Sequence, residues 1–279
     1  LEHRGTTGAE ENTGDGAGIL FQRPDEFFDS VLDGELPDRY AAGSVFMPTD
    51  DEVRERVSAV VEESLADHGL SVFDWRDVPT DNADLGATAL ESEPDVWQLF
   101  VEPADELTED EFDRALYLGR RAAEKAVDDL VIEGAGRFYV CSLDRKTIVY
   151  KGLLTAEQLP NYYPDLGDER MTTELALVHA RFSTNTLGAW HLAHPYRQVI
   201  HNGEINTIRG NVNWMRARET DLRHEAFGDD IETLMPITKA DQSDTASVDN
   251  VVELLLKSDR ELPHVLRMLI PEAYRNDDA

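Results

Sequence analysis

Residues 51–68 carry Val53, Val57, Val60, Val61 and Leu65 three or four positions apart, and Gly69 follows. That spacing predicts one apolar helix face, with the glycine as its stop. A second helix is predicted from Thr108 to about Leu130, on the apolar face Phe112, Leu116, Ala122, Ala123 and Val127. Thr108 and Glu111 open it with the pattern of a capping box. Period-two or short continuous apolar runs predict strands at 19–21, 70–75, 96–101, 137–143, 147–153, 175–181 and 197–201. The pair 137–143 and 147–153 flanks Asp144-Arg145 and reads as a hairpin. Further helices are expected at 206–218, 245–257 and 261–269, and residues 79–94 read as a polar loop. Strands joined partly by tight turns and partly by helices predict an α+β fold rather than a purely parallel sheet. No composition shift marks a second domain, and the 279 residues are treated as one unit.

Composition changes that picture in one respect. The chain has 57 Asp and Glu against 26 Lys and Arg, a net charge of −31, and only five of the bases are lysine. At 41% hydrophobic and 8% aromatic it is too apolar for an acidic disordered tail. A protein that binds nucleic acid by neutralising phosphates needs a basic face, so no nucleic-acid partner is expected. Docking on an anionic membrane is disfavoured too, and no run of about 18 apolar residues crosses a bilayer. With one cysteine, Cys141, there is neither a disulfide framework nor a thiolate cluster. A cytoplasmic protein is expected. Acid excess with scarce lysine suits a salt-rich cytoplasm, where carboxylates keep the surface hydrated and salt screens their repulsion.

Several candidate sites dissolve on inspection. The glycine-rich stretch Asn12-Thr-Gly-Asp-Gly-Ala-Gly18 lacks the Lys-Ser/Thr ending of a phosphate loop and reads as a tight turn entering a strand. His191, His194 and His201 lack a fourth ligand at sensible spacing and are read as structural or surface residues. Cys141 alternates with apolar neighbours mid-strand and is read as a buried, inert thiol.

The region 175–219 is more informative. One predicted strand runs into Arg181, Ser183 and Thr184, a guanidinium and two hydroxyls suited to a small carboxylate. Another ends in His201-Asn-Gly, where Asn202 and the unhindered N–H of Gly203 supply the two donors that a tetrahedral oxyanion needs. Asn-Gly is also the commonest hairpin turn, so these residues alone leave a turn and a site both open.

The stretch His201-Asn-Gly-Glu-Ile-Asn-Thr207, continued through Arg209-Gly-Asn-Val-Asn-Trp-Met-Arg-Ala-Arg-Glu219, resembles the glutamine amidotransferase domain of the glutamate synthase large subunit. In the same order, Leu1-Glu-His-Arg-Gly5, Thr13–Gly18, Phe138–Leu143, Thr147–Gly152 and Ser243–Asn250 resemble that family too. The resemblance implies a four-layer αββα sandwich of the N-terminal-nucleophile type that hydrolyses L-glutamine to glutamate and ammonia. It implies that Arg181 holds the substrate α-carboxylate and Asp244 its α-amino group. Asn202 and Gly203 then form the oxyanion hole, and Thr184 is a second-rank substrate contact. It further implies a synthase domain of the same polypeptide, carrying FMN and an iron–sulfur cluster, where ammonia and 2-oxoglutarate become glutamate. A small subunit or ferredoxin is the implied electron partner. No cofactor and no metal is expected within these residues.

The nucleophile of that family is a cysteine at the mature N-terminus, with its own α-amine as base. The resemblance puts it a few tens of residues before Leu1, and Cys141 matches a structural strand position instead. The expectation is therefore an incomplete domain, without its first strand and its C-terminal part, that does not hydrolyse glutamine by itself. Two alternatives stand beside this reading. One is a non-catalytic amidotransferase-like module that binds glutamine or a partner. The other is the ammonia-donating domain of a different synthase, which the stretch 209–219 argues against. Charge is unevenly spread: from Met171 to Phe227 six arginines face five acids, +1, leaving −32 to the rest.

Overall fold

The computed structural model describes residues 10, 12–32, 34–180, 188–201, 205, 208–239 and 242–270. In chain order its strands are β1 (Ala17–Gln22), β2 (Ala41–Met47), β3 (Leu70–Asp77), β4 (Asp95–Pro103), β5 (Tyr139–Asp144), β6 (Thr147–Gly152) and β7 (Ala176–Ala180). Its helices are α1 (Asp25–Val31), α2 (Asp51–Ala66), α3 (Ala87–Glu91), α4 (Glu109–Asp129), α5 (Gln158–Tyr162), α6 (Ile208–Glu219), α7 (Asp244–Lys257) and α8 (Leu262–Leu269).

The strands form two antiparallel sheets, β6-β1-β7 and β3-β4-β2-β5. Alternation along the inner strands divides the apolar side chains between two cores. Ala42, Phe46, Val96, Phe100 and Cys141 join Phe21, Ile148 and Tyr150 of the three-stranded sheet in one. Ala41, Val45, Met47, Leu99 and Val101 point the other way. They pack against Val57, Val61 and Leu65 of α2 and Phe112, Leu116, Ala123 and Val127 of α4. The described elements thus stack as helices, sheet, sheet. No helix among them is long and apolar enough to cross a membrane.

Local chemistry fixes the two long helices as the pattern predicts. Thr108 Oγ1 accepts from Glu111 N–H and Glu111 Oε2 accepts from Thr108 N–H at 2.8 Å, a complete capping box. Asp50 caps α2 by accepting from Val53 N–H at 3.0 Å, and Gly69, at φ +74°, turns the chain after it.

Four expectations need correction. β5 and β6 do not pair as a hairpin: β5 joins β2 and β6 joins β1, in different sheets. The Asp144 carboxylate accepts from the N–H groups of Lys146 and Thr147, at 2.8 and 3.0 Å. The chain thereby turns tightly and crosses between the sheets. β2 has no counterpart among the predicted strands, because all seven of its residues are buried and no polar positions alternate along it. The polar stretch 79–94 contains the short α3. Residues 197–201 do not form a strand, because the Asp249 carboxylate takes up the N–H groups of Arg197, Gln198 and Val199.

The last glycine of the glycine-rich stretch, Gly18 in β1, has a steric purpose. A Cβ at Gly18 would lie 2.4 Å from the His194 carbonyl oxygen and 2.5 Å from Lys151 Cβ. One at Gly152, the last residue of β6, would lie 2.6 Å from the Trp190 ring. Bare backbone at these positions lets residues 188–194 lie directly on β1 and β6. The variant Gly18→Ala must therefore lift that segment or shift the strand, and is expected to lose about 1–3 kcal/mol of stability. An unchanged urea midpoint in that variant would show that the close approach is not needed.

Candidate active site

β7 ends at Ala180, directly before Arg181, and α7 begins at Asp244. Arg181, Thr184, Asn202 and Gly203 lie outside the described residues. Asp244 lies within them, and so do the backbone positions that flank the others.

Three bonds draw those flanks together. His179 Nε2 donates to the His201 carbonyl at 3.1 Å, which joins the end of β7 to the residue before Asn202. Asp244 Oδ2 accepts from the Ile205 N–H at 3.0 Å, two residues after Gly203. The Tyr196 hydroxyl meets Ser243 Oγ at 2.8 Å. Ser243 is the N-cap of α7 and accepts from Ala246 N–H at 3.2 Å. Asp244 Oδ1 accepts from Thr245 N–H at 2.7 Å, so the carboxylate has a fixed direction. It is half-buried in the first turn of the helix, where the aligned peptide dipoles favour an anion. A half-buried carboxylate held this way can receive an ammonium group.

The segment that carries these contacts is anchored from below. Asp249, fully buried on α7, accepts from the backbone N–H groups of Arg197, Gln198 and Val199 at 3.3, 2.8 and 3.1 Å. These are donors that a strand would give to its neighbour, so the carboxylate takes the place of a ladder and residues 197–201 run irregularly. The Arg197 guanidinium reaches Glu124 at 3.1 Å, the Val140 carbonyl at 2.9 Å and Asp249 at 3.7 Å. Arg120 bridges Glu124 and Glu253, each at 2.6 Å, and Arg121 meets Glu124 at 2.9 Å and the Pro236 carbonyl at 2.8 Å. Three arginines and three carboxylates thus neutralise one another inside the protein. Burial alone would raise the Glu124 carboxyl. The positive charges of Arg120, Arg197 and Arg121 outweigh it and hold the group far below the usual carboxylate range.

None of this network is among the residues singled out from sequence. Arg120, Arg121 and Glu124 stand at helical spacing and look like solvated pairs, because charged residues are rarely buried. The three histidines are differently engaged: His191 packs its ring near Tyr139, His194 stacks on His179 with centroids 4.4 Å apart, and the His201 carbonyl accepts from His179. Among the described residues no group of three or more His, Cys, Asp or Glu could hold a metal ion. Cys141 is buried within the sheet, and burial pushes its thiol up to about 11, far from a nucleophile or a cluster ligand.

With this geometry in place, comparison with known proteins defines the class. A sequence profile for class-II glutamine amidotransferases matches residues 1–279. The chain is 44% identical over 278 residues to the glutamate synthase [NADPH] large chain of Bacillus subtilis (strain 168), covering 98% of this chain and 18% of that one. It is 43% identical over 293 residues to the glutamate synthase [NADH] of Saccharomyces cerevisiae, covering 99% and 13%. It is 38% identical over 281 residues to the chloroplastic ferredoxin-dependent glutamate synthase of Spinacia oleracea, covering 99% and 17%. The chain belongs to the class-II glutamine amidotransferase family. It is homologous to one segment of the glutamate synthase large chain and spans less than a fifth of the length of these relatives.

Glu124→Gln removes one carboxylate charge from the buried network and leaves its arginines short of a partner. The expected loss at pH 7 is roughly 3–5 kcal/mol, as for buried pairs broken on one side. Because the folded-state value of Glu124 lies below its ordinary 4.5, this contribution is complete above that pH and lost as pH falls through the folded value. The stability gap between wild type and Glu124→Gln, read from urea unfolding, should therefore narrow below pH 4.5. A gap that stays constant down to pH 3 would assign the loss to packing.

Proposed function

We propose that this chain is the glutaminase segment of a glutamate synthase. It releases ammonia from L-glutamine for the reductive amination of 2-oxoglutarate by a synthase domain of the same polypeptide. The observation that carries the proposal is the placement of Asp244, joined to Ile205 at the N-terminus of α7, in a chain homologous over its length to class-II amidotransferases.

An α-amino acid needs one cation and one anion to fix its two charged ends. Arg181 is assigned to the α-carboxylate, which its planar guanidinium can grip with two parallel bonds, and Asp244 to the α-ammonium. Held at both ends, the side-chain amide meets a nucleophile in a fixed geometry. That nucleophile is assigned to an N-terminal cysteine of the full-length protein, with its free α-amine as base. The thiolate attacks the amide carbon, and the resulting oxyanion is stabilised by the Asn202 side-chain amide and the Gly203 N–H. Collapse expels ammonia and leaves a thioester, and water then releases glutamate. Thr184 is a further substrate contact in this reading. FMN and an iron–sulfur cluster supply the reduction outside these residues. Relatives named for NADPH, NADH and ferredoxin match to similar degrees, so this segment carries no mark of the electron donor.

The test is ammonia release from L-glutamine by the full-length protein. Arg181→Lys keeps the charge but loses the two-pronged grip and is expected to cost about 1.5–3 kcal/mol in kcat/KM, mostly through KM. Asn202→Ala should lower kcat far more than it raises KM, because the oxyanion exists only during reaction. Unchanged kinetics in the first variant, or an affinity change alone in the second, would reject the assigned role.

A further inference from the structure

Lys151, on β6, is a buried cation that the proposed chemistry does not use; its side chain is only 1% exposed. Its Nζ donates to two main-chain oxygens, the His191 carbonyl at 3.0 Å and the Ala193 carbonyl at 2.9 Å. The same atom lies 4.9 Å from the centroid of the Tyr139 ring and 4.8 Å from that of Tyr196. Withdrawing an ammonium from water is costly, and a methionine would fill the space without that cost. What methionine could not do is satisfy two carbonyls that converge on one point. That takes a donor with at least two N–H groups, and the aromatic faces on either side supply the remaining stabilisation.

The constraint does not stop at the two carbonyls. The Tyr196 hydroxyl donates to the Leu192 carbonyl at 3.1 Å and accepts from the Ser243 hydroxyl at 2.8 Å, so it ties the clamped segment to the cap of α7. Asp244 is the next residue. Gly18 lies across the sheet from Lys151 in register, and a side chain there would collide with both the His194 carbonyl and the Lys151 Cβ.

We propose that Lys151 is a positioning residue for amino-acid binding: by clamping the His191–Tyr196 segment it sets the N-terminus of α7 and with it the Asp244 carboxylate. The inference rests on the proposed role of Asp244 and deepens it. The test uses the full-length protein with ammonia release from L-glutamine as the readout, on Lys151→Met, Tyr196→Phe, Asp244→Asn and the Lys151→Met/Asp244→Asn pair. Lys151→Met is expected to raise KM about tenfold with kcat within about twofold, since it displaces a binding group and not the reacting centre. The double variant should be little worse than Asp244→Asn alone, because both changes act through one carboxylate. If Lys151→Met does not fold, Tyr196→Phe decides: it deletes only the hydroxyl and should raise KM about threefold with kcat kept. An Asp244→Asn variant with normal KM overturns the substrate assignment itself. A raised KM in Asp244→Asn with a normal KM in folded Lys151→Met, or in Tyr196→Phe where that variant decides, overturns the positioning role. So does full additivity of the pair.

Discussion

The proposed site depends on six charges whose side chains are each at least nine-tenths buried. Arg120, Arg121 and Glu124 come from α4, Arg197 from the irregular segment after residue 188, and Asp249 and Glu253 from α7. Each would be prohibitively costly to bury alone, and such a set is stable only if every member is in place. That requirement makes the network an all-or-nothing fastening between a helix of the main body and the two elements that frame the site. Asp249 adds a second function, since it takes up backbone donors that have no strand to bond to. Register between α7 and the 197–201 segment is thereby set by hydrogen bonds, where sheet pairing would otherwise set it. Tyr117, Leu118, Phe227, Ile231, Leu234, Ile237 and Leu254 supply the apolar part of the same junction.

How much of this was readable beforehand varies with the physics of each element. α2 and α4 declared themselves because one face is apolar, the other is wet, and their caps are encoded within three residues. β1, β4 and β7 were legible from short apolar runs to within a few residues. β2 was not, since a central strand buried on both faces has no period to read. The turn at Asp144 looked like a hairpin because a carboxylate that bonds two following N–H groups gives the same local sequence whether the next strand pairs or changes sheet.

The site divides in the same way. Asp244 was singled out by the family resemblance, and its substrate role is a proposal. The residues that hold it in place could not be found, because a sequence shows charge but not burial. Glu124 and Arg120 read as a surface pair four residues apart, and Lys151 reads as a polar position at the end of a strand. The uneven charge noted in the sequence has a partial counterpart here. The buried network is neutral in itself, and the near-neutral stretch 171–227 contributes Arg197 to it.

The central claim, that Arg181 and Asp244 hold the two ends of glutamine, is tested most directly by a crystal structure of the full-length protein. The ligand should be a glutamine analogue that alkylates a nucleophilic thiol. The account predicts the analogue attached to the N-terminal cysteine, with both α-carboxylate oxygens on the Arg181 guanidinium. Its α-amine should lie within hydrogen-bond reach of an Asp244 carboxylate that still accepts from Ile205. An attached analogue whose α-amine lies beyond the reach of Asp244, or whose carboxylate is held by a group other than Arg181, would contradict it.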